Sequence, residues 1–282
     1  MSRPNRKMTM NYSLARNEKG LHPQYPIEKT ITEQINLIWI KNNWPQTFYW
    51  SAIYMMVIFS LQNYMKSRPA FNLRRPLIIW NLLLAVFSIF GTVRMLPGLY
   101  IVLRDFGFNF SVCNISFAKE NHPVVLWLYV FMWSKVFEFG DTLFIVLRKQ
   151  KLIFLHWYHH VATLIFTWYN VAHEISTGYW FCTMNYFVHS FMYTYYAMKA
   201  MKVSVPRYIA MCITISQILQ MFAGCFVTIL AFYNYQKGEY CEQTSRSLCF
   251  AFLLYFTYVI MFCHLFYNLY VTPKAEKLRK SK

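Results

Sequence analysis

Long apolar stretches alternate with short polar segments along most of the chain. A helix needs about 20 residues to cross the hydrocarbon core of a bilayer. Seven stretches come close to or exceed that length, at 46–65, 76–102, 124–147, 152–172, 179–199, 208–234 and 247–271. The pattern predicts an all-α, polytopic membrane protein with seven transmembrane helices. It divides the chain into a polar N-terminal segment (1–43), a transmembrane domain (44–272) and a basic tail (273–282).

The distribution of charge predicts how these helices are oriented. Charged residues make up only 14% of the chain, against about 25% in soluble domains. Lysine and arginine concentrate in alternate loops and in the tail, and such loops face the cytosol. The tail is therefore predicted to be cytosolic and the N-terminal segment lumenal. This topology accounts for the net charge of +17, so no nucleic-acid partner is expected, although a cationic mouth would attract an anionic substrate.

The predicted lumenal side carries two kinds of modification site. Sequons begin at Asn11, Asn109 and Asn114, where N-glycosylation is expected. Cys113 and Cys241 also lie in lumenal loops, whereas the other five cysteines lie in predicted spans. Because an oxidising lumen permits disulfides, the sequence predicts a Cys113–Cys241 bond.

Several predicted spans carry polar side chains at a similar depth. Polar groups inside a bilayer are costly and usually functional. Counted at about 1.5 Å per helical residue, one set lies roughly 10–20 Å from the cytosolic end of its span. The set comprises Lys135, Glu138, Asp141, His159, Asn185, His189, Gln217, Gln220 and His264. Scattered structural residues would not be expected to share a depth, so the sequence predicts one functional layer.

The spacing of the histidines supports this interpretation. His156, His159 and His160 are separated by three and four residues and share one helix face. Asn185 and His189 are four residues apart and also share a face. A structural ion-pair cluster remains the alternative for the charged residues at 135–141. Gln217 and Gln220 are expected to form helix-to-helix hydrogen bonds, and His264 is expected to be structural.

Three classes of protein could use such a layer. A membrane di-iron desaturase or hydroxylase generally needs about eight ligating histidines. The chain has eight in total, but His22, His122 and His173 lie outside the layer, so only five remain. A lipid transporter would need a route to both faces and often shows an internal repeat, which the sequence lacks. Acyl transfer needs only neutral imidazole as a nucleophile or base, with no metal and no bound cofactor.

Four ordered motifs resemble those of the ELO family of fatty acid elongases. "KVFEFGDT" at 135–142 resembles its KxxExxDT motif, and "HWYHH" at 156–160 resembles its histidine box. "MNYFVHSFMYTYY" at 184–196 and "TISQILQM" at 214–221 resemble two further motifs. The resemblance implies a very-long-chain 3-oxoacyl-CoA synthase that condenses a long-chain acyl-CoA with malonyl-CoA. It also implies that six of the seven helices form a barrel around an acyl tunnel.

The resemblance implies a cellular setting as well. The protein would lie among the lipids of the endoplasmic reticulum membrane, although Arg279-Lys280 is an imperfect retrieval signal. Its partners in the elongation cycle would be a ketoacyl reductase, a dehydratase and an enoyl reductase, and a homo-oligomer is compatible with the sequence. The stretch "LRKQKLIFLHWYHH" resembles most the branch that acts on saturated and monounsaturated chains.

The layer and the resemblance together suggest a division of roles. His159 is the expected nucleophile, forming an acyl-imidazole and releasing CoA. His189, with Asn185 beside it, is expected to polarise the malonyl carbonyl or stabilise the enolate. His156 and His160 would move protons or orient their neighbours. A one-step condensation, with histidines acting only as acid and base, remains the alternative.

Charged residues receive supporting roles. Asp141 and Glu138 are expected to fix imidazole tautomers, with Lys135 balancing their charge. Phosphate is bound by charge-assisted hydrogen bonds from lysine and arginine. The residues expected to contact the phosphates of CoA at the cytosolic mouth are Lys149, Lys151, Lys202 and Arg207.

Overall fold

The structure is a computed structural model that describes residues 25–272, except for the side chains of residues 120 and 122. Asn11, His22, the Arg279-Lys280 signal and the rest of the predicted tail therefore lie outside the described residues. Within residues 25–272 all regular secondary structure is helical, which confirms the predicted all-α class.

The helices are numbered here in chain order. They are α1 (Pro26–Glu33), α2 (Leu37–Asn43), α3 (Gln46–Tyr64), α4 (Arg74–Cys113), α5 (Ser116–Glu120), α6 (His122–Phe137), α7 (Phe139–Leu147), α8 (Phe154–Ala172), α9 (Gly178–Ala200), α10 (Arg207–Gln236) and α11 (Ser245–Phe266). A 3₁₀ turn, Met65–Ser67, follows α3, and a π-helical turn, Tyr267–Val271, continues α11.

Three of these helices are long and apolar enough to cross a membrane. They are Arg74–Cys113, Arg207–Gln236 and the continuous helix Ser245–Val271. The span predicted at 124–147 is interrupted at Glu138, a single residue between two consecutive helices of 16 and 9 residues. At about 1.5 Å per residue neither reaches across a core of about 30 Å alone. The seven-helix arrangement stays a prediction.

Two further boundaries differ from those predicted. The span predicted to end at residue 102 continues as α4 to Cys113, interrupted at Gly107, whose φ of 81° suits glycine because it lacks a Cβ. The segment predicted only as polar contains α1 and α2. An ion pair holds α1 against α4: Arg94 Nε lies 2.9 Å from Glu28 Oε1, and both side chains are 8% exposed. Pairing lowers the cost of burying each charge.

The ends of the molecule differ in chemistry. At one, the disulfide end, Cys113 and Cys241 form a disulfide that joins the end of α4 to the α10–α11 loop. Ser176, in the α8–α9 loop, donates its backbone N–H to the carbonyl of Glu242 at 3.1 Å, so three connections meet there. At the other, the basic end, lie three cationic segments, 66–74, 148–153 and 199–207, each of which contains a connection between helices.

Candidate active site

A polar cavity of about 470 Å³ opens at the basic end of the helices. Its volume falls within the usual range of small-molecule sites. Most of the predicted layer lines it, together with the other two histidines of the triplet: Glu138, Asp141, His156, His159, His160, Asn185, His189, Gln217 and Gln220. Arg148, Gln150 and Lys199 line its mouth. The structure thus brings side chains from α7, α8, α9 and α10 to one cavity.

A second, apolar cavity of about 350 Å³ lies toward the disulfide end. Leu128, Phe131, Phe166, Phe181 and Leu254 are among its lining residues, and Glu174 lies at its far end. Four residues line both cavities: His159, Asn185, Gln220 and Met221. His159 therefore lies where the polar cavity meets the apolar cavity.

A chain of hydrogen bonds connects α6 to His189. Lys135 Nζ donates to Glu138 Oε1 at 2.6 Å and to Asn185 Oδ1 at 3.1 Å. Asn185 Nδ2 lies 3.1 Å from His189 Nε2. Lys135 also lies 4.1 Å from the centre of the Phe131 ring. Because all the polar members are buried, each is held in place by its neighbours.

Asp141 is held by two donors from other helices. Trp80 Nε1 donates to Oδ1 at 2.6 Å, and the Tyr193 hydroxyl donates to Oδ2 at 2.8 Å. Gly140 makes this approach possible, since a Cβ there would lie 2.6 Å from the Trp80 ring. The glycine is thus required by packing at this position.

His156 and His160 form one side of the histidine triplet. His156 Nε2 lies 2.9 Å from Thr142 Oγ1, which in turn lies 2.7 Å from the Tyr54 hydroxyl. The His156 and His160 rings are 4.5 Å apart, and His160 packs beside Tyr54 and Phe139. These contacts fix both imidazoles on the basic side of the junction.

His159 differs from the other two. Among the described residues its ring has no hydrogen-bond partner, although the Tyr258 hydroxyl donates to its backbone carbonyl at 3.2 Å. The Tyr258 ring lies 5.1 Å from the imidazole. His159 therefore keeps a free imidazole at the junction of the two cavities.

The roles expected for Asp141 and Glu138 are wrong, and His264 does not join the site. Among the described residues neither Asp141 nor Glu138 forms a hydrogen bond with a histidine, because both Asp141 oxygens and Glu138 Oε1 accept from other donors. His264 does not line the polar cavity: it is exposed and contacts Asn268 at 2.8 Å. The depth of a residue in its span gives its position along the helix axis, but it does not determine the direction in which the side chain points around that axis.

The two glutamines also differ from each other. Gln217 Nε2 lies 3.2 Å from Met192 Sδ on the neighbouring helix, which confirms a helix-to-helix contact. Gln220 was expected to make another, and that is wrong: it is 8% exposed, and among the described residues its amide has no partner. It lines both cavities instead.

The cations expected to bind CoA lie around the mouth. Lys149 donates to two backbone carbonyls of the α3–α4 loop at 3.0 and 3.2 Å, and Arg207 donates to the Leu269 carbonyl at 2.9 Å. Lys151 and Lys202 are exposed. The cavity lining contains none of the four, so their contact with CoA stays a prediction.

The two described sequons are in different environments. Asn109 is exposed. Asn114 accepts a hydrogen bond from the backbone N–H of Ser116 at 2.8 Å and another from the Ser116 hydroxyl. Glycosylation stays a prediction, with Asn109 the more accessible of these two acceptors. Within residues 25–272 no group of three or more His, Cys, Asp or Glu side chains is arranged to hold a metal ion.

Comparison with known proteins identifies the family. The family model described as "ELO: GNS1/SUR4 family" matches residues 39–278 of this chain. This chain belongs to the ELO family. It is 45% identical over 258 residues to very long chain fatty acid elongase 6 of Gallus gallus, covering 90% of this chain and 96% of that relative. It is 46% identical over 239 residues to elongase 3 of Homo sapiens, covering 85% and 88%, and 43% identical over 258 residues to elongase 6 of Drosophila melanogaster, covering 91% and 82%.

The ELO motifs quoted from the sequence all contribute to the polar cavity. Sequence reasoning did not single out several residues that hold the site. Thr142 and Tyr193 lie inside those motifs, so their positions carried a signal. Trp80 and Tyr54 lie on α4 and α3, outside every motif, and only their contacts show their part.

Proposed function

We propose that this ELO protein catalyses the condensing step of fatty acid elongation, joining a long-chain acyl-CoA and malonyl-CoA to give a 3-oxoacyl-CoA, CO₂ and CoA. The observation that carries the proposal is the position of His159 between the polar and the apolar cavity. A substrate with a charged head and an apolar tail matches that pair of cavities. The names of relatives that match most of this chain support the same reaction.

In the first half-reaction His159 attacks the thioester carbonyl carbon. A nitrogen–carbon bond forms, the carbon–sulfur bond breaks, and the CoA thiolate leaves with the proton that the acylated imidazole gives up. The acyl chain stays in the apolar cavity, linked to the imidazole. The His159 ring is free of other hydrogen bonds among the described residues, so no partner must be lost before attack.

In the second half-reaction malonyl-CoA enters the polar cavity. Loss of CO₂ breaks a carbon–carbon bond and leaves its electron pair as an enolate. The enolate carbon attacks the acyl carbonyl, the bond to His159 breaks, and the leaving nitrogen takes up one proton from the solvent-connected polar cavity, which restores the imidazole. His189 and the unpartnered amide of Gln220 are the donors available to the enolate oxygen. His156 and His160 move protons.

CoA binding would use the mouth of the polar cavity. Arg148 and Lys199 line this mouth and carry the charge that phosphates require. The four cations singled out from the sequence would add to the positive field around it.

We propose the following setting for the reaction. The protein crosses the endoplasmic reticulum membrane seven times, six of the helices form a barrel around the acyl tunnel, and the tail is cytosolic. The N-terminal segment and Asn109 then face the lumen, where Asn109 is glycosylated. Saturated and monounsaturated chains are the substrates, no cofactor is bound, and the product passes to a ketoacyl reductase, a dehydratase and an enoyl reductase.

Mass analysis of products tests the function directly. Purified protein receives labelled malonyl-CoA and a panel of acyl-CoAs, before and after dialysis against a strong chelator. Each acyl-CoA should be extended to a 3-oxoacyl-CoA, and the yield should be the same before and after dialysis. Turnover that requires iron and oxygen, or binding of acyl-CoA without any product, would contradict the proposal.

A further inference from the structure

One face of α8 carries polar side chains from His159 into the apolar cavity. Thr163, Thr167 and Asn170 follow His159 at helical spacing, and all four line that cavity. An unsubstituted acyl chain has no group that could hydrogen-bond to them. The polar stripe therefore calls for an explanation other than packing against methylene groups.

Two members of the stripe have no partner in the protein. Thr163 Oγ1 lies 2.9 Å from the Tyr258 hydroxyl and is satisfied. Thr167 and Asn170 are 7% and 6% exposed, and neither side chain forms a hydrogen bond with another described residue. Asn170 Oδ1 is fully buried without a partner. Buried polar groups are rarely left unpaired, because they lose their hydrogen bonds to water on folding.

Two other buried polar atoms without a partner provide a contrast. Among the described residues these are Ser51 Oγ and Trp133 Nε1. Neither residue lines the polar or the apolar cavity. Thr167 and Asn170 differ from them because a ligand in the cavity can reach their side chains.

We propose that the apolar cavity accepts acyl chains carrying a hydroxyl group beside Thr167 and Asn170. A hydroxyl both donates and accepts, as do the threonine hydroxyl and the asparagine amide. The inference rests on the proposed function, because it takes the apolar cavity as the acyl site.

The spacing along α8 sets the position of the hydroxyl. Thr167 and Asn170 lie 8 and 11 residues beyond His159. At about 1.5 Å per residue, that is roughly 12–17 Å from the reacting carbonyl. An extended chain advances about 1.2 Å per bond, so the hydroxyl lies roughly 10–14 bonds from the thioester carbon.

Paired substrates test this position. The ratio of kcat/KM for 12-hydroxyoctadecanoyl-CoA to that for octadecanoyl-CoA is measured in the wild type, in Asn170→Leu and in Thr167→Val. Both substitutions keep the approximate shape and remove the polar atoms. The expected result is a fall in the ratio, by about tenfold when both changes are combined, because the hydroxyl loses its partners.

Two controls separate a substrate contact from a general disturbance. The ratio for 2-hydroxyoctadecanoyl-CoA should not change in these variants, since its hydroxyl lies beside the thioester. Ser51→Ala should leave both ratios at the wild-type value. A 12-hydroxy ratio that stays at the wild-type value in variants that fold, as expected if the two side chains bind only a water molecule, would overturn the proposal.

A binding measurement separates this proposal from the proposed function. The rise in melting temperature of wild-type protein on adding each acyl-CoA reports binding without turnover. A larger rise with the 12-hydroxy chain than with the plain chain is expected, and an equal or smaller rise would overturn the hydroxyl site. If neither chain is extended but the difference in melting temperature persists, the proposed function fails and the site stands.

Discussion

Lys135 fixes which way the Asn185 amide points. An ammonium group can only donate, and Lys135 Nζ lies 3.1 Å from Asn185 Oδ1. The amide nitrogen therefore faces His189 Nε2, 3.1 Å away, and donates to it. His189 consequently carries its proton on Nδ1. The first ELO motif thus acts on His189 through Asn185, and the direct carboxylate contact that the sequence suggested is absent from the described site.

Removing the charge of Lys135 should destabilise the protein strongly. Glu138 is 3% exposed, and Lys135→Met would leave its carboxylate buried without a counter-ion. A loss of about 3–5 kcal/mol in the free energy of unfolding is expected. Lys151→Met, at an exposed lysine, should change it by less than about 0.5 kcal/mol. Denaturant unfolding in detergent measures both.

A second substitution checks the cause. Lys135→Met combined with Glu138→Gln removes both charges, so most of the lost stability should return. If the double variant is as unstable as Lys135→Met alone, packing of the lysine stem and not the buried charge explains the effect.

The sequence predicted the helical class, and it predicted which polar side chains line one cavity, because membrane burial limits where polar groups occur. The position of each residue in its predicted span placed His159, His189 and Gln220 at one depth, and all three line the polar cavity. Depth alone also grouped His264 with them, although it does not line the cavity, since the direction of a side chain around its helix depends on packing with neighbours. It also passed over Arg94, whose partner Glu28 comes from a segment that looked merely polar.

The hydrogen-bond partners inside the site could not be predicted. Trp80 reaches Asp141 only because Gly140 leaves space, a relation between two distant parts of the chain. Likewise, the break at Glu138 carries no proline or glycine at that position. Such features arise from tertiary contacts, which hydrophobic periodicity does not describe.

The ion pairs of Glu174 should make stability depend on pH in the acidic range. Burial alone would raise the pKa of Glu174, but Lys41, 2.9 Å away, and Lys119, 3.3 Å away, together hold that pKa below its usual value. A lowered carboxylate pKa stabilises the fold above the pKa of the unfolded chain, about 4.3, and this contribution disappears as the pH falls through the folded value.

Melting temperatures across pH test this pair of contacts. Glu174→Gln should melt slightly below the wild type at pH 7, since exposed ion pairs contribute little. The difference should vanish at low pH, where the wild-type carboxyl is protonated as well. Glu33→Gln, at an exposed pair with a separation of 3.9 Å, is the matched control and should show no such trend. A difference that persists at low pH would refute the charge explanation.

Cations that line the mouth of the polar cavity should contribute more to the affinity for CoA than the cations around it. Arg148→Ala and Lys199→Ala are expected to raise KM for acyl-CoA several-fold, with the largest effect at low salt, because phosphate contacts are screened by ions. The comparison set is Lys149, Lys151, Lys202 and Arg207. If those four substitutions raise KM and the two at the mouth do not, the CoA head lies outside the cavity.

Breaking the disulfide should loosen the end where three connections meet. Cys113 and Cys241 are separated by 128 residues, and closing so long a loop contributes up to about 4–5 kcal/mol on the chain-entropy model. Replacing both cysteines with serine should lower the melting temperature, whereas replacing the exposed free Cys249 should not. Peptide mapping without reductant should recover the bonded pair, and two free thiols would contradict the assignment.

The most direct test of the account is the mass of the enzyme after acyl-CoA is added without malonyl-CoA. The wild type should release CoA and gain one acyl group, located on His159 by peptide fragmentation. His159→Ala should lose the adduct, while Asn185→Leu should keep it and lose condensation, because His189 is then no longer held. An adduct that survives His159→Ala and disappears in His160→Ala would assign the nucleophile to His160. Condensation by the wild type without any histidine adduct would establish the one-step reaction instead.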